Sequence, residues 1–187
     1  MRISRRIVAI AVAAFLPAAA LLPAAARGEV VESSANGFLV HNSISVRGSA
    51  GAAYSAFVEH VGDWWSPAHT FSGDPANLSI DPRPGGCLCE KLANGGGVQH
   101  LVVVAVAPGS VIRFSGAMGP LQAYGVAGSM TCTFAANGDS TTIDQIYNVG
   151  GYFKGGLDKI APIADIVLRE LLASLQSYIN TGRAKRD

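Results

Sequence analysis

The chain has 187 residues and 49% apolar composition, enough for one domain with a sizeable core. It carries 14 basic and 13 acidic side chains without a basic stripe. That balance argues against nucleic acid and anionic membrane surfaces as partners. Met1 to Ala26 has a basic start (Arg2, Arg5, Arg6), an apolar stretch from Ile7 to Leu22, and small residues at Ala24 and Ala26. This is the layout of a secretory signal peptide cleaved before Arg27. Pro17, Pro23 and the Ala-rich run argue against an uncleaved anchor, so no stable membrane insertion is expected after removal. Ser4-Arg5-Arg6 resembles the start of a twin-arginine signal and leaves the export route open. The expected address is periplasmic or secreted. Residues 1–26 hold three of the arginines and none of the acids, so the remainder is about two charges negative.

Residues 27–37 read as a flexible lead-in to a single domain over 38–182. Phe38, Val40, Asn42, Ile44 and Val46 alternate as a strand should. Ala50 to Val61 is Ala-rich and periodic through Ala53, Phe57 and Val61, a helix with Gly48 and Ser49 as turn and cap. Gly62 to Gly73 holds too much Pro and Gly for regular structure and too many aromatics for an ordinary loop. Strands follow over 78–81, 87–93, 98–107, 111–115, 126–135 and 141–149. Asn94–Gly97 and Asn137-Gly138-Asp139 are hairpin signals between them. In the last apolar segment, Leu157 to Asn180, Leu157, Ile160, Ala164, Val167, Leu168, Leu171, Leu172 and Leu175 recur at three- and four-residue spacing. That is the period of a long helix with one wide apolar face. Asp158 stands where a cap or first-turn acid belongs, Pro162 suits a first turn, and Gly182 marks the stop. Consecutive hairpins give an antiparallel sheet. The expected class is α+β, a curved sheet of six to seven strands wrapped around a long C-terminal helix.

Three cysteines stand in an exported chain, and the odd number leaves at least one thiol without an intramolecular partner. Cys87 and Cys89 share one side of a strand, which reads as poor geometry for bridging each other. A link from either to Cys132 stays open, and small buried apolar residues are the blander reading.

Element order and residues together resemble the SRPBCC superfamily, the START-like or birch-pollen-allergen-like helix-grip proteins. The nearer branches are the polyketide cyclase/dehydrase-type proteins and the homologues of the heat-shock-protein ATPase activator's C-terminal domain. The residues that carry the likeness are Ala53-Tyr54-Ser55-Ala56-Phe57, Trp64-Trp65-Ser66-Pro67, Pro84-Gly85-Gly86, Gly150-Gly151-Tyr152 and the long final helix. The resemblance spans about Phe38 to Tyr178. It implies a deep cavity between sheet and last helix that holds an apolar or amphipathic small molecule. It does not imply one reaction.

Trp64 and Trp65 combine apolar area with an N–H donor and are candidates for a cavity mouth, beside the reading of one as a core plug. Glu90 and His100 flank the Asn94–Gly97 hairpin. With a three-residue loop, Leu88, Glu90 and Leu92 share a face with His100, Val102 and Val104. With four residues, Cys87, Cys89 and Lys91 take that place. An inward Glu90 is costly unless paired, and His100 is the natural partner. Such a pair could serve as acid and base. His69 follows the tryptophans and could approach the same cavity. His69, Glu90 and His100 would be a legal zinc set, but no spacing asks for it, so neither metal nor cofactor is expected. Tyr124, Tyr147 and Tyr152 are candidate lining residues. No nucleophile elbow, phosphate-binding loop or dinucleotide fingerprint is present. The expected function is an exported binder of an apolar or aromatic ligand. The alternative is a cyclase, dehydratase or isomerase-type enzyme using Glu90 and His100. A chaperone-partner module is the weakest reading, since export removes that partner. Ligand identity and oligomeric state stay open.

Overall fold

The computed structural model describes residues 27–185. The signal-peptide reading falls on residues 1–26, outside the described residues. Eight strands form one antiparallel sheet: β1 (Arg27–Ser34), β2 (Gly37–Arg47), β3 (Leu78–Ile80), β4 (Cys87–Lys91), β5 (Gly97–Ala107), β6 (Val111–Ser115), β7 (Gly125–Asn137) and β8 (Ser140–Tyr152). Their spatial order is 1-2-8-7-6-5-4-3. The helices are α1 (Ala50–Glu59), the single turn α2 (Val61–Trp64) and the long α3 (Ala161–Thr181). The fold is α+β, as the sequence pattern suggests.

Several boundaries differ, and two of them matter most here. Arg27–Ser34 is not a loose lead-in but an edge strand paired with β2, which brings the count to eight. Its run Arg-Gly-Glu-Val-Val-Glu-Ser-Ser lacks clean alternation, and its pairing with β2 shifts register between Val30 and Glu32. The last helix begins at Ala161, after a 3₁₀ turn over Leu157–Lys159. Pro162 thus falls in the first turn, where its missing N–H costs no intrahelical bond. Asp158 lies in the preceding turn and caps nothing in α3. Gly182, at φ 73°, closes the helix in the left-handed conformation, its N–H on the Tyr178 carbonyl.

Period decides the core. On β8, Thr141, Ile143, Gln145, Tyr147 and Val149 are buried while their neighbours are not. On α3 the buried stripe is Ala161, Asp165, Leu168, Leu171, Leu172, Ser174 and Leu175. It covers β2 and β1 and touches α1 and α2. Burying each such leucine stabilises the fold by roughly 1.5–3 kcal/mol. Ser49 caps α1 by accepting from the Ala52 N–H at 3.3 Å.

Gly128 on β7 is where the sheet leaves no room. A Cβ there would stand 2.7 Å from the Gly116 carbonyl oxygen and 2.9 Å from the Tyr147 ring. Gly128→Ala is therefore expected to cost about 1–3 kcal/mol by overpacking. Thermal unfolding checks this. A melting temperature equal to wild type would mean that the β7–β8 approach is looser than described.

Candidate functional site

A pocket of about 420 Å³ opens between the N-terminal half of α3 and the sheet. α3 supplies Ile163, Ala164, Val167, Leu168 and Leu171. The turn over Gly119–Ala123 brings Leu121, and the segment after α2 brings Trp65 and Phe71. The sheet contributes Tyr147 and His100.

His100 reaches the pocket because β5 carries an extra residue. β4 pairs Leu88 with Leu101 but Cys89 with Gln99, so His100 has no partner across the ladder. The bulge breaks alternation: His100, Leu101 and Val103 are buried, and Val102 and Val104 are not. The shared face of His100, Val102 and Val104 suggested by simple alternation is therefore not found. β4 keeps strict alternation, with Leu88 and Glu90 inward.

Glu90 and His100 are 2% and 3% exposed and meet at 2.9 Å, Glu90 Oε2 to His100 Nε2. The carboxylate also accepts from the backbone N–H groups of Phe71 at 3.1 Å and Ser72 at 2.5 Å. Burial pushes the Glu90 carboxyl up. The hydrogen bonds from Ser72, the Phe71 N–H and His100 outweigh it and bring it down to about 2. An ionised carboxylate only accepts, so the proton on Nε2 is fixed and Nδ1 is the ring nitrogen left for another partner. The Phe71 ring lies 5.7 Å from the imidazole, centroid to centroid.

Tyr147 is the second polar group at depth. Its oxygen accepts from the Met118 N–H at 2.9 Å and its hydroxyl donates to the Gly116 carbonyl at 3.4 Å. Burial pushes its pKa up, so it stays a neutral phenol that holds the 116–118 turn against the sheet.

Neither a protein-family model nor a curated protein sequence matches the chain. Solved structures match across most of its length. The conserved protein EF2215 of Enterococcus faecalis, of unknown function, superposes with a TM-score of 0.57 at 10% identity, covering 82% of this chain and 77% of its own. The Aha1 dimer of Colwellia psychrerythraea gives 0.54 at 14% identity, with 78% and 98% covered. Norcoclaurine synthase of Thalictrum flavum gives 0.54 at 16%, with 75% and 84% covered. The chain shares the helix-grip fold of these structures.

Within that helix grip, the residues singled out from sequence separate. Trp65, His69, His100, Tyr124 and Tyr147 border the pocket. Glu90 stands behind His100 rather than on the wall. Trp64 turns the other way, 2% exposed and stacked on Phe57 at 5.5 Å, so it plugs the core. Tyr152 is 75% exposed and outside the pocket, because it shares the parity of Ile146 and Asn148 on β8 and so faces away from Tyr147. His69 turns to Glu170 at 3.4 Å, away from Glu90, so His69, Glu90 and His100 do not converge as a zinc set. Among the described residues, no group of three or more His, Cys, Asp or Glu could hold a metal ion. No helix among them is long and apolar enough to cross a membrane.

Pattern reading did not single out Phe71, Met118, Leu121 and Phe153, which complete the pocket. The aromatic excess of Gly62–Gly73 was the signal for Phe71. Met118 and Leu121 lie in a Gly-rich passage where no period marks an inward side.

Proposed function

We propose that the chain is an exported protein that holds an apolar or aromatic small molecule between its sheet and α3. The observation that carries this is the pocket of about 420 Å³, walled mainly by apolar side chains with His100 presented from one side. That volume lies in the range that encloses small organic ligands. In the same fold, the norcoclaurine synthase structure is a complex with dopamine and hydroxybenzaldehyde. Aromatics of that size suit this pocket. Export rests on the layout of residues 1–26, and cleavage before Arg27 follows from Ala24 and Ala26.

Ala164 lies at the centre of the α3 wall, flanked by Ile163 and Val167. Ala164→Trp fills the cavity from that wall. The expected result is at least a roughly tenfold loss of affinity for an apolar fluorescent dye, with the melting temperature within a few degrees of wild type. Equal dye affinity in the two proteins would place the bound dye elsewhere and sink the reading.

The Glu90–His100 pair favours a second reading, an acid–base enzyme of the cyclase, dehydratase or isomerase kind. Here the roles divide. A carboxyl held near 2 is spent as an ionised acceptor, so Glu90 orients the ring and His100 Nδ1 moves the proton. This reading expects deuterium uptake from D₂O into an enolisable aromatic ketone, followed by NMR and lost in His100→Gln. Uptake equal to the buffer rate in wild type leaves binding as the function.

A further inference from the structure

Cys87 and Cys89 are bridged, contrary to the expectation from strand geometry. Two steps of an extended strand span about 6.4–6.8 Å, at the far edge of what a disulfide reaches. Here the two Cα atoms are only 5.4 Å apart, so β4 is pinched by about 1 Å between them. The pinch and the β5 bulge coincide. Across Cys87, Leu88 and Cys89, β4 spends three residues while β5 spends four, Gln99 to Val102. A shortened strand facing a lengthened one makes the longer one bow, and the residue in the bow is His100. Leu88 and Glu90 point inward and the two sulfurs outward, so the bridge sits on the outer face, behind the Glu90–His100 contact.

We propose that Cys87 and Cys89 are a thiol–disulfide exchange site whose oxidised form sets the bulge that aims His100 at Glu90. The co-reactant is a dithiol. Its thiolate attacks one sulfur of the bridge and releases the other as a thiolate that takes up a proton. The second thiol of the reagent then resolves the mixed disulfide. Two electrons pass to the protein, which ends with thiols at Cys87 and Cys89, and the reagent ends as a disulfide. With the bridge open, β4 extends, the two strands match more evenly, and His100 loses the bow that turns it in. The third cysteine takes no part. Cys132 is fully buried, and burial pushes its thiol up to about 12.

The test needs no ligand and stands independently of the binding reading. Protein beginning at Arg27 is purified without reductant, denatured, alkylated and weighed. One modified thiol is expected, rising to three after dithiothreitol. Three before reduction would overturn the proposal. Amide hydrogen exchange is then followed by NMR on oxidised and reduced protein. Reduction is expected to speed exchange at Phe71 and Ser72, the Glu90 donors, and at the β4–β5 ladder by about tenfold or more, with β2, β7 and β8 unchanged. Cys87→Ser/Cys89→Ser should match the reduced form and ignore dithiothreitol. Unchanged exchange at Phe71 and Ser72 would overturn the coupling. So would uniform acceleration over the whole sheet, which would make the bridge a general clamp on the fold.

Discussion

Glu90→Ala is expected to lower the unfolding free energy by about 3–5 kcal/mol, measured by urea denaturation. The loss comes from what remains behind. Glu90 accepts from Phe71 N–H, Ser72 N–H and His100 Nε2, and all three donors lose their acceptor at once. Each buried donor left unpaired costs about 1–3 kcal/mol, and the cavity adds to it. Glu90→Gln keeps the volume and one acceptor oxygen, so its loss should be smaller. A Glu90→Ala protein within about 1 kcal/mol of wild type would mean that water enters and replaces the carboxylate.

The same carboxylate gives an acid limb. Its pKa falls from 4.5 to about 2 in the folded chain. A depressed carboxyl contributes stability that is fully present above the unfolded value. That contribution is lost as pH falls from about 4.5 towards 2. The shift amounts to roughly 3 kcal/mol across that window. Wild type should therefore lose more stability between pH 5 and pH 3 than Glu90→Gln, which has no carboxyl to titrate. Parallel curves for the two proteins would show that other groups carry the acid limb.

Most of the scaffold was legible because it is periodic. Strict alternation from Thr141 to Val149 and the three-and-four spacing from Leu157 to Leu175 each identify an element and its buried side. Parity also holds information that a list of aromatics does not use. Tyr147 and Tyr152 stand five residues apart on one strand, so they face opposite ways. The bulge is different in kind. Nothing in Gln99-His100-Leu101 marks the extra residue, which shows only in the register of β5 against β4. The donors that hold Glu90 are main-chain N–H groups of Phe71 and Ser72, and every residue but proline has one. The Cys87–Cys89 bridge was missed for a related reason. Ideal strand spacing makes it awkward, and the strand here is not ideal.

Trp64→Ala should be the other severe substitution, at about 3–5 kcal/mol, with little effect on the pocket. Trp64 and Trp65 are equal in sequence and unequal in place. The Trp64 ring stacks on Phe57, its Nε1–H donates to the Ala56 carbonyl at 3.2 Å, and its own carbonyl accepts from Ser174 Oγ at 2.6 Å. The indole ties α2 to α1, which no small side chain can do, while the residue's main-chain carbonyl ties it to the middle of α3. Trp65 instead borders the pocket, its indole N–H held by the His69 carbonyl at 2.9 Å. The pair therefore separates stability from binding. At a temperature where both variants remain folded, Trp64→Ala should bind an apolar dye within about twofold of wild type, and Trp65→Ala about tenfold more weakly. The reverse order would place the ligand against Trp64, and the core beneath α2 would then be the site.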